Sequence, residues 1–371
     1  MMDSLNKLYV EITTRCNLSC QMCVQRVWNT VTGQMPLATF RALMDQVRDL
    51  PQPPIIHLGG YGEPTFHPDF LEIVRLAKAT GAQVEMTTNG TLLTPELSEA
   101  LLDLGLNRLA VSIDGVSPEH YEDIRVNGSY QQVISNLRHL FRLKLRRAGR
   151  HSDPQVKIAF VAMKSNVADL PKLPSLATRI GAWEVQVSNV VPHTPEMEQE
   201  ILYEHALTAC TFRESRWTVG MSLPKMDWDD HTLPAMQQVA QSRASLTMLH
   251  HSLSARNDYC EFVQEGYAVV RWDGAVSPCL SLLHDHPEYI RGRRKDITHH
   301  EFGNINVQAL RAIWESPQYM TYREKLRAFP FSPCTTCGGC ERFPFNYEDC
   351  SENYFPTCGG CLWAQGFIEC P

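Results

Sequence analysis

Two rhythms alternate along the chain between residues 8 and 191. Short β-rich runs, apolar at most positions, are separated by longer segments whose apolar residues recur every three to four positions. The first pattern belongs to strands buried on both faces and the second to amphipathic helices, so the alternation predicts βα units around a parallel sheet. Six strands are expected, at 8–13, 55–59, 83–88, 108–114, 156–163 and 184–191. Thr94-Pro95-Glu96 and Ser117-Pro118-Glu119 each provide a hydroxyl cap followed by Pro at the first helical position, while Gly81 and Gly105 end helices. The stretch 130–147 places Val133, Ile134, Leu137, Leu140 and Phe141 on one face, and its end, Arg142-x-Lys144-x-Arg146-Arg147, reads as a solvated face. Eight such units close a barrel. Six predict an α/β fold with a partial (β/α)6 TIM barrel, open on one side through a lateral mouth wide enough for a bulky ligand.

Past residue 194 the rhythm stops. Residues 195–255 are polar and helix-like, with Trp217 and Trp228 among them, and from Cys260 onward Cys, Gly and aromatics dominate with little periodicity. Three units are therefore expected: a barrel over 1–194, a bridge or lid over 195–255, and a small metal-stapled domain over 256–371. Composition sharpens this picture. The 371 residues are 43% hydrophobic and 20% charged, enough for one large core and a smaller one. A net charge of −7 with scattered Arg and Lys gives no basic face, so nucleic acid is not an expected partner. No run of eighteen apolar residues suggests a membrane span and the N-terminal residues lack an apolar signal core, so a soluble, cytoplasmic protein is expected. Thirteen cysteines, nine of them after residue 259, fit metal ligation better than disulfides, because the count is odd and many stand as C-x2-C pairs.

The sharpest chemistry follows the first strand. Cys16, Cys20 and Cys23 form a C-x3-C-x2-C loop. Four thiolates normally hold a cubane cluster, so a loop offering three leaves one iron open to a ligand; a zinc knuckle or plain buried thiols are the alternatives. Strand two runs into Gly59-Gly60-Tyr61-Gly62-Glu63-Pro64, strand three into Thr87-Thr88-Asn89-Gly90, and strand four into Ser112-Ile113-Asp114-Gly115. Glycines and small polar groups at the carboxyl ends of barrel strands let a ligand approach the backbone closely.

The cysteine loop, the Gly60 to Pro64 segment one strand later and these rim segments together resemble the radical S-adenosylmethionine (SAM) enzymes. The resemblance implies a 4Fe–4S cluster on Cys16, Cys20 and Cys23 whose open iron binds SAM, with Gly60, Gly62, Glu63 and Pro64 near the methionyl amino group. Asn89, Ser112 and Asp114 would face ribose and carboxylate, and Arg125 the SAM carboxylate. Asn166 either touches SAM or caps the helix predicted at 167–180, and Val190 with Val191 either packs on adenine or belongs to the core. A ferredoxin- or flavodoxin-type donor is the expected source of electrons.

Cys260, Gly274 and Cys279 resemble the opening of the SPASM domain, which carries auxiliary iron–sulfur clusters. The expected closing part here reads Cys334, Cys337, Cys340, Cys350, Cys358, Cys361 and Cys370, a departure from the usual spacing. One or two auxiliary 4Fe–4S clusters are implied, and nine cysteines exceed the eight that two fully ligated cubanes use. Zinc remains the alternative for the C-x2-C pairs, and Cys210 reads as a buried thiol. Met22 and Trp28 by the cysteine loop, Leu283-His284, Arg291-Gly292-Arg293-Arg294-Lys295 and the tail from Glu348 to Gly366 look like the tungsten cofactor oxidoreductase radical SAM maturases. That resemblance implies action on a tungsten aldehyde ferredoxin oxidoreductase, through its pterin cofactor or a peptide segment. The Arg291–Lys295 run would bind phosphates of a pterin or simply form a solvated loop. A peptide maturase forming thioether or carbon–carbon crosslinks, and a non-catalytic electron carrier, are the rival readings.

Overall fold

The computed structural model describes residues 4–147, 152–208, 219–240, 245–248, 251–252, 258–337 and 339–370. Its centre is an eight-stranded sheet. Strands β1 (Lys7–Val10), β2 (Ile55–Leu58), β3 (Val84–Thr88), β4 (Arg108–Ser112), β5 (Gln155–Ala162) and β6 (Glu184–Asn189) lie side by side in sequence order, all parallel. These are the six predicted strands, five of them a residue or more shorter and β5 of the predicted length but displaced by one residue. Helices α1 (Leu37–Arg48), α2 (Phe70–Lys78), α3 (Pro95–Asp103), α4 (Pro118–Ile124), α5 (Tyr130–Arg147) and α6 (Leu173–Ile180) come between them. Their apolar faces, such as Phe40, Leu43, Met44 and Val47 of α1, pack with Val10, Ile56, Leu58 and Val84 into one core. Thr94 and Ser117 cap α3 and α4 by accepting from the amides of Leu97 and His120. The helix expected at 167–180 opens as a 3-10 turn over Val167–Lys172 and becomes α6 at Leu173. Lys144 departs from the solvated face expected of α5: it is buried and donates to the Pro154 carbonyl at 2.5 Å.

Beyond the barrel, the bridge carries helices at Pro195–Gln199 and Leu233–Ala240, as expected, and also a small separate sheet of β7 (Gly220–Leu223), β8 (Ser245–Met248) and β9 (His251–Ser252) that the sequence pattern does not predict. Cys210 and Trp217 lie outside the described residues. Strand β10 (Tyr267–Val270) then adds to the outer edge of β1, parallel to it, and β11 (Val276–Ser277) turns back antiparallel. A hairpin of β12 (His286–Ile290) and β13 (Arg293–Ile297) and helices at Leu310–Trp314 and Pro317–Ala328 follow, after which the described chain is mostly turns.

The lateral mouth expected of six strands is therefore narrowed from both sides. β10 occupies the β1 edge. Along β6, Asn189 donates to the Phe367 carbonyl (2.8 Å), Gln186 to the Cys370 carbonyl (2.6 Å), and the Glu369 amide to Ser188 (3.0 Å). The C-terminal tail is thus held along the β6 edge through the side chains of that strand. A cleft of about 490 Å³, lined by Gln186, Tyr259, Glu261, Trp363 and Cys370, remains between them. Among the described residues no helix is long and apolar enough to cross a membrane.

Candidate active site

The site assembles on the carboxyl rim of the barrel. The cysteine loop leaves β1 and is pinned to the end of α4, with the Ser19 amide donating to the Val126 carbonyl (3.0 Å) and the Gln21 amide to Ile124 (2.9 Å). Gln25 ties it to the β2 loop by donating to the carbonyls of Thr14 and Tyr61. Within the loop the Leu18 amide donates to Cys16 Sγ at 3.4 Å. Burial pushes all three thiols up, Cys23 to about 11, and each of Cys16 and Cys23 is raised further by the nearby sulfur of Cys20. Side chains so desolvated hold their protons unless a cation takes their place.

Two donors face this loop. Asn89 Nδ2 lies 3.9 Å from Cys16 Sγ, and Arg125 Nη1 lies 3.8 Å from Cys20 Sγ. Arg125 has a partner its sequence context does not reveal. Its Nε and Nη2 both reach Asp114 Oδ2, at 2.7 and 2.6 Å, while Asp114 Oδ1 accepts from the Val161 amide at 2.7 Å. Burial works against the guanidinium charge, and Asp114 with the neighbouring Cys20 and Tyr121 together outweigh it, so the pKa is raised. Charge-assisted pairs of this kind are strong where water is excluded.

Glu63 is spent in a similar way. Oε1 accepts from the Thr65 amide (3.1 Å) and from the hydroxyls of Thr65 and Thr88 (both 2.6 Å), and Oε2 from the Asn89 amide (2.7 Å). Burial raises its pKa against these bonds. The carboxylate thus locks the ends of β2 and β3 together, and Gly60, exposed at the start of the loop, leaves backbone for a ligand. Gly62 is sterically obligatory: a methyl group there would stand 2.1 Å from the Thr13 carbonyl oxygen. Pro64 begins a 3-10 turn, and Ser112 stands half-buried at the end of β4.

Asn166 does not cap the following turn, which corrects the capping alternative. Fully buried, it donates to the carbonyls of Asp114 and Val161 and accepts from the Met163 amide, clamping the ends of β4 and β5. Every polar atom of its side chain is engaged within the fold. Val190 packs with Met163, Met197, Tyr203, Phe343 and Leu362, as core packing predicts.

The C-terminal cysteines fall into two neighbourhoods. Cys260, Cys279, Cys358 and Cys361 lie within electrostatic range of one another; burial raises the thiol of Cys260 to about 12, and neighbouring sulfurs add to it. Cys370 borders this group. Cys334 feels Cys337 and Cys350 instead, and Arg293 joins Cys340 to that set by donating to the carbonyls of Cys337 (3.4 Å) and Cys340 (2.6 Å). Among the described residues no three His, Cys, Asp or Glu side chains converge as ligands of a single metal ion. Thiolates at the corners of a cubane stand farther apart than that, and the donor chemistry, thiols alone in both neighbourhoods, suits iron–sulfur clusters.

Two groups emerge that spacing alone does not signal. Buried Glu11, just past β1, bonds His284 Nε2 at 2.8 Å across 273 residues and accepts from the Tyr61 amide, and Trp28, Tyr61 and His284 stack edge-on beside it. The Arg291–Lys295 run is the turn of a hairpin and the first half of β13; Arg291, Gly292 and Arg294 are exposed, as a solvated loop predicts, but Lys295 is not. Lys295 is buried on β13, opposite Glu288.

The profile of the Radical SAM superfamily matches residues 10–163, and that of the SPASM iron–sulfur cluster-binding domain matches residues 260–341. A tungsten-containing aldehyde ferredoxin oxidoreductase cofactor-modifying protein of Pyrococcus furiosus is 30% identical over 368 residues, 98% of this chain and 96% of that one. An AdoMet-dependent heme synthase of Methanosarcina barkeri is 29% identical over 95% of this chain and 89% of its own. The solved structure of native anSMEcpe with bound AdoMet superposes with a TM-score of 0.55 at 17% identity, covering 95% of this chain and 94% of that one, which speaks for the shared fold.

Proposed function

Because the chain belongs to the radical SAM enzymes that carry a SPASM iron–sulfur domain, binding a 4Fe–4S cluster with SAM and auxiliary clusters besides, we propose that it matures a tungsten-containing oxidoreductase by modifying that enzyme's cofactor or a peptide segment of it. The observation that carries this reading is the similarity to the Pyrococcus protein over both barrel and cysteine-rich tail.

In this proposal Cys16, Cys20 and Cys23 hold the cluster at which SAM binds. Bound there, the cluster would supply the electron that cleaves SAM reductively, as the start of hydrogen abstraction from the substrate. The chain's own residues position and insulate that chemistry. Glu63 holds the β2 and β3 rims so that the backbone from Gly60 to Gly62 meets the methionyl end of SAM, and Arg125 keeps a fixed positive charge beside Cys20, stabilised by Asp114. Asn89 and Ser112 line the same rim, Asn166 fixes the spacing of β4 and β5, and Val190 lies in the packing beneath. Trp28, Tyr61 and His284 wall off water from the side of the C-terminal segment. Cys260, Cys279, Cys358 and Cys361 would hold one auxiliary cluster and Cys334, Cys337, Cys340 and Cys350 a second, leaving Cys370 over; a ferredoxin- or flavodoxin-type protein would donate electrons.

The test is genetic and chemical together. Deleting the gene in its host leaves a tungsten aldehyde oxidoreductase expressed but inactive, with altered cofactor or peptide mass, and the purified protein with SAM and reductant restores it. A fully active oxidoreductase of unaltered mass from the deletion strain overturns the proposal.

A further inference from the structure

Lys295 is an unusual residue to bury. Its relative exposure is 3%, and it lies on β13 directly across from Glu288, itself 1% exposed. Gly360 shows where the ammonium points. A methyl group on Gly360 would stand 2.5 Å from Lys295 Nζ and 3.3 Å from Cys334 Cβ. Gly360 is flanked in sequence by Gly359 and Cys361, with Cys358 two residues before it, whereas Cys334 belongs to the other cysteine neighbourhood. The ammonium therefore lies at the seam between the two sets. Glu288 is the carboxylate paired with Lys295 across the hairpin. Its Oε1 meets His286 Nε2 at 3.4 Å and its Oε2 has no hydrogen-bond partner among the described residues. His193 stacks edge-on against His286 at 5.2 Å, carrying the buried polar chain back toward the end of β6.

A buried cation shared by two groups of thiolates has a definite electrostatic consequence. Adding an electron to an iron–sulfur cluster makes it more negative, so a fixed positive charge nearby favours the reduced form and a fixed negative charge disfavours it. In a weakly screened interior these effects exceed those of surface charges.

We propose that Lys295 is the common counter-cation of the two C-terminal cysteine sets, a positioning residue that raises the reduction potentials of both auxiliary clusters together, with Glu288, paired with it across the hairpin, as its opposing charge. The pair tunes the two clusters as neighbours on one electron path. This rests on the reading that both sets bind clusters, and the test separates the two ideas.

The experiment is an EPR-monitored redox titration of the anaerobically reconstituted full-length protein, with iron and sulfide counted in each variant. Lys295→Met moves both auxiliary potentials to more negative values, Lys295→Arg returns them toward the parent, and Glu288→Gln moves them to more positive values. The N-terminal cluster serves as an internal reference and stays unmoved in all three. Opposite signs from Lys295→Met and Glu288→Gln are not the mark of loosened packing, which would shift both alike. If Lys295→Met loses iron, Glu288→Gln at full iron content carries the sign test alone. Auxiliary potentials unchanged in variants with full iron overturn the proposal; a parent protein with iron for one cluster only overturns the underlying assignment instead.

Discussion

Arg125 shows how much a single side chain can owe to a partner far along the chain. Sequence context suggests a guanidinium waiting for a ligand carboxylate, and the fold supplies a protein carboxylate, Asp114, to hold it first. Breaking such a buried pair leaves an uncompensated charge, so Arg125→Ala is expected to cost about 3–5 kcal/mol of stability, read from denaturant unfolding. A loss below about 1 kcal/mol would mean that Asp114 is solvated and the pair weak. His57 makes a different prediction. Burial pushes its pKa down to about 4, with the neighbouring Glu85 opposing the shift, and burial does the same to His193. Both rings are therefore neutral at pH 5 in the folded protein, whereas unfolded histidines are mostly charged there. The unfolded chain then binds more protons, so the stability these rings contribute is complete above about pH 6.5 and falls as pH drops through about 4, by about 1.4 kcal/mol per pH unit for each ring. Histidine-resolved NMR titration checks this, and a His57 midpoint near 6.5 would refute it.

At the scale of elements, the rim is built from strand ends locked to one another. Glu63 joins β2 to β3, Asn166 joins β4 to β5, and the cysteine loop is tied to α4 and the β2 loop. Gly62 sits where two of these tethers meet. Gly62→Ala forces the loop off the Thr13 carbonyl and disturbs the Glu63 bonds, so SAM affinity should fall at least tenfold, about 1.4 kcal/mol, while iron content stays near the parent value. Equilibrium binding of SAM measures it. Parent-like affinity would show that the loop relaxes freely and that its backbone does not meet SAM. Lys144 teaches the complementary lesson within α5. Its position among charged neighbours suggests a solvated face, yet the end of α5 packs under the Pro154 turn, which takes up its ammonium.

Across the whole molecule, barrel and tail are interleaved: β10 extends the β1 edge, and residues 367–370 cover β6. Two separate cysteine neighbourhoods and the N-terminal loop together predict about twelve irons in the reconstituted protein. Replacing Cys260 and Cys279 by Ser removes about four irons, and replacing Cys334 and Cys337 removes about four others, each leaving the N-terminal cluster's EPR signal in place. Iron analysis with EPR decides. Loss of all iron in either variant would instead indicate general unfolding.

The alternation of strand and helix, the caps at Thr94 and Ser117, the positions of the six strands and the cysteine loop were all legible in the amino-acid sequence, because each depends on residues close together in the chain. Local spacing carries hydrophobic periodicity, capping and the ligand loop directly. The tertiary structure alone decided which distant groups meet: Arg125 with Asp114, Glu11 with His284, Lys295 with the seam between two sets of thiols, and the tail with β6. Such pairings arise when peptide groups and charges that cannot remain unpartnered in a dry interior find whatever the fold brings near, and no pattern along the chain records that choice.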